Sequence, residues 1–235
     1  MSDDYGVQFF DDQVDGSLKS ARIIAPWLVN LVGPKTVIDV GCGLGTWACA
    51  FKESGVERVT GIDGDYVDRS RLLISEADFI PVDLSSPPDA SRFGRFELAV
   101  SLEVAEHLPA EVAEKFIDLL TGLSDTVFFS SAIPGQGGTH HINEQWQSYW
   151  VQLFSSRGFR PLDIIRSRFW DAEVEWWYAQ NTFLFARPGV VPQLQVKEDC
   201  PIDMVHPHLY SKRMSQLKLA QDEVILLKSK LKAKS

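Results

Sequence analysis

A short apolar strand that runs into three glycines and then a helix is the feature that most constrains this chain. The strand Thr36–Val40 leads into Gly41, Gly43 and Gly45, and a helical run follows from Trp47. Glycines allow a tight turn and let backbone N–H groups approach a ligand, while the helix presents its positive end at the carboxyl edge of the sheet. The pattern therefore predicts a nucleotide-binding loop.

An acidic residue closes the next predicted strand, Arg58–Ile62. Asp63 lies 22 residues after Gly41, and a carboxylate at this place can accept hydrogen bonds from two ribose hydroxyls. Dinucleotide-binding proteins share that spacing. A tight turn with only a structural role is the alternative.

Apolar strands alternate with helical segments along most of the chain. Seven strands alternating with helices predict an α/β fold with a largely parallel, doubly wound sheet. Pro81 disfavours a central position for the third strand. The remaining predicted strands are Phe79–Val82, Phe96–Ser101, Thr126–Phe129, Leu162–Ile165 and Thr182–Phe185, and the further helices are 109–120 and 144–157.

Composition and charge exclude several classes of protein. Hydrophobic residues make up 45% of the chain and charged residues 23%, a balance that can bury a core. The net charge of −9 repels phosphate backbones, so we expect no general binding to nucleic acid.

Three cysteines and the absence of long apolar runs bear on the compartment. Cys42, Cys49 and Cys200 form no CxxC pair, which argues against a disulfide framework or a zinc site and for a reducing environment. No apolar run reaches the roughly 20 residues of a membrane span, and the first ten residues are acidic where a secretory signal would be basic. We expect a cytoplasmic protein.

The C-terminal part of the chain changes in composition. Residues 188–210 contain four prolines and are predicted to be an extended linker. Residues 211–235 carry a net charge of +5 and are predicted to form a basic helical or coiled-coil tail that supports self-association, with a solvated helix as the alternative. This leaves residues 1–187 as the main domain. The apolar stripe of the tail is Leu217, Ala220, Val224, Leu227 and Leu231.

The glycine motif resembles a known family. Asp39-x-Gly41-x-Gly43-x-Gly45, with Asp63 ending the second strand, is similar to the S-adenosyl-L-methionine site of class I methyltransferases. The resemblance covers roughly residues 15–187 and extends to the segment 101–108, which is similar to the fourth-strand signature of the family. It implies a Rossmann-like fold with helices on both faces of a seven-stranded sheet and one antiparallel strand at the edge. Thr46 disfavours NAD.

The same resemblance implies roles for individual residues. The three glycines approach the methionine moiety, Asp63 holds the ribose and Asp83 approaches the adenine amino group. Asp83 precedes Ser85 and is alternatively a turn residue. His107 is interpreted as a helix cap. The predicted cofactor-binding set is Asp39, Gly41, Gly43, Gly45, Asp63, Asp83, Leu84, Leu102 and Glu103.

A loop after the fifth strand is the predicted acceptor lid. It lies at the carboxyl edge of the sheet, where open α/β folds bind ligands, and it contains His140, His141 and Glu144. A histidine suits the removal of a hydroxyl proton near neutral pH, so His141 is the predicted base, with His140 as its neighbour and Glu144 as its support. Capping of the next helix is the alternative. These three residues lack a further carboxylate with ligand-like spacing, so we predict no metal site.

Two features suggest the acceptor. The stretch 137–145 resembles a loop of bacterial and viral methyltransferases that are encoded with glycosyltransferases and methylate sugars of surface polysaccharides. The segment Phe169–Tyr178 combines three tryptophans with acidic residues, which suits stacking on a pyranose, although packing against a neighbouring helix is equally compatible with one or two of the tryptophans.

The sequence thus predicts an S-adenosylmethionine-dependent O-methyltransferase acting on a sugar hydroxyl of a glycan or its precursor. Glycosyltransferases of the same pathway are the expected partners. The alternatives are a methyltransferase for small secondary metabolites, and a non-catalytic module that binds the cofactor and assembles a larger complex.

Overall fold

A seven-stranded sheet organises the main body of the protein in the computed structural model, which describes residues 4–194 and 201–232. The strand order is β3-β2-β1-β4-β5-β7-β6, so the chain starts in the middle of the sheet and winds outward in both directions. The strands are β1 (Thr36–Val40), β2 (Arg58–Asp63), β3 (Phe79–Pro81), β4 (Leu98–Leu102), β5 (Thr126–Ser130), β6 (Arg160–Leu162) and β7 (Phe183–Ala186).

The direction of the strands confirms the predicted, mostly parallel sheet. Strands β1 to β5 pair in parallel, and β7 is antiparallel to both β5 and β6. The antiparallel strand therefore lies one position inside the edge, and β6 takes the edge position that the resemblance had assigned to it. Strand β3, which contains Pro81, forms the other edge of the sheet. Proline has no backbone N–H, and on an edge strand that group is not needed for a bond to a neighbouring strand.

Helices cover both faces of the sheet and bury two apolar layers. Helix α1 is 29 residues long and was not predicted. Its buried residues Ala21, Ile24, Ala25 and Leu28 recur at helical spacing, but Pro26 interrupts the pattern in sequence. The helices of the main body are α1 (Asp4–Val32), α2 (Thr46–Glu53), α3 (Ala113–Leu123), α4 (Gln147–Ser155), α5 (Arg166–Phe169) and α6 (Trp176–Asn181).

Several predicted boundaries differ from the structure; for example, α3 begins at Ala113 rather than at residue 109, and the C-terminal helix begins at Pro207, within the predicted linker. Helix α4 begins at Gln147 rather than at Glu144, because the segment before it is held extended by the bond from Gln145 N–H to the Ala132 carbonyl (3.2 Å). Strand β6 ends at Leu162 rather than continuing to Ile165.

The chain divides into two compact units, Met1–Asp203 and Met204–Ser235. The second unit contains helix α7 (Pro207–Lys232), which confirms the predicted helical tail. Its predicted stripe is exposed, but so are Leu219, Ile225 and Leu226, and apolar side chains are therefore not confined to one face. Cys200 and residues 195–199 of the predicted linker lie outside the described residues.

No helix among the described residues combines the length and the apolar character needed to cross a membrane.

Candidate active site

The glycine turn after β1 has the geometry that its sequence predicts. Gly41 has a φ of 80°, and a Cβ atom there would lie 2.4 Å from Cγ2 of Val104, so only glycine fits. Gly45 has a φ of 82° and begins α2 without a side-chain cap. The turn thus brings the start of α2 to the carboxyl end of β1.

Asp39 supports this turn from inside the protein. Its side chain is buried, and Oδ2 accepts a hydrogen bond from the N–H of Ala48 (3.2 Å). Burial raises the pKa of Asp39 to about 7, and the charge of Asp63 adds to the increase, while the bond from Ala48 opposes it. The prediction that Asp39 binds the cofactor stays a prediction; within the protein its carboxylate bonds to α2 and helps to hold the glycine turn.

Asp63 connects the end of β2 to the glycine turn. Its Oδ2 accepts from Gly43 N–H (2.7 Å), and its Oδ1 accepts from Gly64 N–H and from the hydroxyl of Tyr66, both at 2.6 Å. The sequence analysis did not single out Tyr66. The signal that could have found it is its position, three residues after the aspartate that ends β2. Tyr66 itself is 84% exposed, so Asp63 is bonded on this side to a residue at the surface.

A cleft of about 570 Å³ lies beside Asp63. Its lining includes Asp83 and Leu84, so three predicted cofactor residues are brought together, and it also includes His107. The Asp83 carboxylate accepts from Ser85 N–H (2.9 Å) and Ser85 Oγ (2.6 Å), bonds that lower the pKa of Asp83. Asp83 is thus both a turn residue and part of the cleft wall.

Glu103 follows Leu102, the last residue of β4, in a left-handed conformation with a φ of 55°. Its Oε2 accepts from Gln136 Nε2 (2.8 Å) and its Oε1 from Asn181 Nδ2 (3.1 Å). Burial raises the pKa of Glu103, and the hydrogen bonds from Asn181, Ser130 and Gln136 act against that increase. These amide partners were missed because they come from distant segments.

The predicted acceptor loop is docked on the short 3-10 turn Ala105–His107 that follows β4. The N–H groups of Ile142 and Asn143 both donate to the Glu106 carbonyl, at 2.9 and 3.0 Å. Asn143 Nδ2 also donates to the Ala105 carbonyl (3.4 Å). The end of the loop that carries His141 is therefore anchored.

His141 is held by Glu144 within this loop. Its Nδ1 lies 2.9 Å from Glu144 Oε1, and the same carboxylate accepts from Gly135 N–H (2.7 Å) and Gly137 N–H (2.6 Å). Partial burial acts to raise the pKa of Glu144, but these hydrogen bonds outweigh it and the pKa is lowered. The first turn of α4 is capped by Asp203, whose Oδ1 accepts from Ser148 N–H (2.8 Å), and not by His141 or Glu144, so the capping alternative does not apply to them. His140 is exposed, with a φ of 60°.

Glu106, His107 and His141 meet where the loop docks. One potential ligand atom from each residue lies within 4.8 Å of the other two, and the imidazole rings meet edge to face with centroids 4.8 Å apart. Burial and then the charge of Glu103 raise the pKa of Glu106, whereas desolvation and His141 lower the pKa of His107. Sequence spacing had grouped His141 with His140 and Glu144 instead. The available signal was that Glu106 and His107 follow one central strand and His141 the next.

The tryptophan-rich insert lies between β6 and β7 and forms α5 and α6. Trp177 packs against the hydrophobic core and contacts Trp176 edge to face at 5.5 Å. Tyr178 is buried against Trp47 of α2 (5.1 Å), with its hydroxyl 3.0 Å from Ser17 Oγ. The packing alternative therefore applies to Trp177.

Comparisons with known proteins agree on the class of domain. Residues 18–168 match the family model described as "Methyltransferase domain". Over 89 residues the chain is 47% identical to ribosomal protein L11 methyltransferase of Burkholderia mallei, and over 87 residues 34% identical to that of Geotalea daltonii. These matches cover 37% and 35% of this chain but only 29% and 27% of the relatives, so the chain spans less than a third of their length.

Two solved structures share the fold. The methyltransferase domain of bacterial CtHen1-C has a TM-score of 0.53 and 22% identity, covering 72% of this chain and 97% of that one. The magnesium protoporphyrin IX methyltransferase of Synechocystis PCC 6803, solved with bound SAH, has a TM-score of 0.54 and 19% identity, covering 73% and 84%.

Proposed function

Because the chain belongs to the methyltransferase domain family, we propose that it is an S-adenosylmethionine-dependent O-methyltransferase that acts on a sugar hydroxyl of a glycan or glycan precursor. The observation that carries the proposal is the junction of two sites. The cleft beside Asp63 reaches His107, and the ring of His107 packs on His141, which is oriented by Glu144.

The residues around the cleft fit S-adenosylmethionine. The carboxylate of Asp63 is fixed by Gly43 and Gly64, and its contact with the exposed Tyr66 hydroxyl is the one that a ribose diol can replace. Asp83 and Leu84 lie on the wall that would receive the adenine. When bound, the cofactor supplies an electrophilic methyl group.

His141 is the residue proposed to take the proton of the acceptor hydroxyl. Its Nδ1 is engaged by Glu144, which leaves Nε2 as the basic nitrogen. A Cβ atom on Gly138 would lie 2.2 Å from Nε2, so the glycine leaves the space that this nitrogen needs. Glu144 and the docked loop end hold the ring in place, which general-base catalysis requires.

The proposal of a sugar acceptor is supported by α6. This helix begins with Trp176 and Trp177 and ends at Asn181, whose amide bonds to Glu103. At 1.5 Å per residue its two ends are about 8 Å apart. The half-buried indole rings at its start therefore lie about the length of one or two sugar rings from the end that contacts Glu103. Trp176, which is half-buried and not part of the core cluster, is the better candidate for stacking.

Transfer of a labelled methyl group tests the proposal. Purified protein with labelled S-adenosylmethionine should methylate free sugars, nucleotide sugars or lipid-linked glycans, and His141→Ala should lower turnover by at least about 10²-fold while SAH affinity, measured by calorimetry, stays within about twofold. Matched reactions contain ribosomal protein L11 or small aromatic alcohols. Turnover only in these reactions would refute the sugar acceptor, and SAH binding without turnover on any acceptor would favour an assembly module.

A further inference from the structure

The cluster of Glu106, His107 and His141 contains a buried oxygen without a partner. Glu106 is fully buried, and its Oε2 accepts from Ser131 Oγ (3.1 Å). Its Oε1 has no hydrogen-bond partner among the described residues. A buried carboxylate oxygen in that state is costly, and a positively charged ligand beside it would remove that cost.

The donor set fits a divalent transition metal. Two imidazoles and one carboxylate bind Zn²⁺ in hydrolytic enzymes and suit other first-row divalent ions. Ligand atoms on a tetrahedral ion with bonds of about 2.0–2.1 Å are about 3.4 Å apart, so a pair at the 4.8 Å limit of this cluster would draw in by about 1.4 Å. Of the three residues, His107 lies nearest the surface and Glu106 is buried, so the His107 side chain is the one that would move.

The surroundings of the cluster have the form that supports metal ligands. A ligating histidine normally donates its other ring N–H to a carboxylate, and His141 Nδ1 meets Glu144 Oε1 at 2.9 Å. The ligating carboxylate is itself normally hydrogen-bonded, as Glu106 is by Ser131. His141 Nε2 is then the nitrogen available to an ion.

We propose that Glu106, His107 and His141 bind one divalent transition-metal ion, of the Mn²⁺ or Zn²⁺ type, in open coordination geometry. Three protein ligands leave positions for oxygen atoms of a small ligand. Since His107 also lines the cleft, the ion lies at the end of that cleft.

The consequence for catalysis rests on the proposed function. An acceptor hydroxyl bound to the ion becomes more acidic and can lose its proton to water. With the ion bound, His141 Nε2 is a metal ligand and cannot also take the proton. His141 therefore acts as the base only in protein without the ion.

Metal titration tests the inference without reference to turnover. Protein treated with EDTA and desalted is titrated with MnCl₂ and the free Mn²⁺ is followed by electron paramagnetic resonance, and with ZnCl₂ in a calorimeter. We expect one ion per chain, and affinity at least tenfold weaker in His107→Ala and in Glu106→Gln. The glutamine variant keeps the shape of the buried side chain, and circular dichroism verifies that both variants are folded.

His140→Ala is the matched control, because His140 precedes a proposed ligand but lies outside the cluster. Its affinity for Mn²⁺ should equal that of the unchanged protein. Absence of binding for both ions, or binding that His107→Ala and Glu106→Gln do not weaken, would overturn the inference. SAH calorimetry on the same samples separates the two proposals, because binding of SAH without any metal leaves the methyl-transfer proposal intact.

Discussion

Replacing Gly138 by alanine should displace the imidazole of His141 without disturbing the rest of the protein. The new Cβ atom would lie 2.2 Å from Nε2, 2.5 Å from Cε1 and 2.8 Å from Cδ2. Ordinary contacts of a Cβ atom begin at 3.4 Å, so the ring would have to move by about 1 Å. The φ of Gly138 is not among the positive values, and alanine therefore fits the backbone there.

The displacement cannot be absorbed by rotation alone. Nδ1 of His141 is tied to Glu144, whose carboxylate is itself fixed by Gly135 and Gly137. A shift of about 1 Å in a catalytic group can cost about 10²-fold in rate. We expect kcat for the methyl acceptor to fall by that order, with SAH affinity within about twofold and a slightly lower melting temperature, because the clash strains the anchored ring.

The assay is methyl transfer from labelled cofactor, accompanied by calorimetry with SAH. Thr139→Ala, an exposed change in the same loop, is the control and should keep normal turnover. In a His141→Ala background the alanine at Gly138 should add little further loss. Normal turnover in Gly138→Ala, or an equal loss in the His141→Ala background, would refute the reasoning.

Four further outcomes are expected. Asp63→Ala should weaken SAH binding by about 1.5–3 kcal/mol, the range for hydrogen bonds to a charged group, and unchanged affinity in calorimetry would remove its ribose role. The pKa of Asp39 is raised by burial from 3.8 to about 7, so ionisation destabilises the folded state as pH rises through this window. The free energy of unfolding of Asp39→Asn should therefore exceed that of the unchanged protein by an amount that grows between about pH 4 and 7 and reaches up to about 4 kcal/mol above pH 7. A difference in urea unfolding that is the same at pH 4 and pH 8 would contradict this. Trp176→Ala should raise KM for a sugar acceptor more than the Kd of SAH, and equal losses with a lower melting temperature would make it a packing residue. In the tail, Val224→Asp with Leu227→Asp should lower the mass measured by light scattering if α7 pairs with a second copy, and an unchanged mass would remove that role.

Local patterns carried most of what the sequence could predict. The strand at Thr36–Val40 and the turn at Gly41 depend on neighbouring residues alone, and both were found in the structure. The start of α4 could not be predicted, because Glu144 is a good helix former whose carboxylate binds loop amides instead.

The candidate site was harder to predict than the fold. Glu106 and His107 lie more than 30 positions before His141, and only the adjacency of β4 and β5 brings the three together. The amide partners of Glu103 likewise come from two separate segments. No helical or strand periodicity relates such residues, so their grouping depends on topology that a single sequence does not display.

The way the acceptor loop is fastened bears on how its specificity could change. Its two ends are joined by the bond from Gln145 N–H to the Ala132 carbonyl, and its second half is docked by two backbone N–H groups on the Glu106 carbonyl. Backbone groups of this kind are present whatever side chains the loop carries. Thr139 and His140, two exposed residues between these fixed points, can therefore be replaced to fit another acceptor, provided that Gly138 is kept so that His141 returns to the same place.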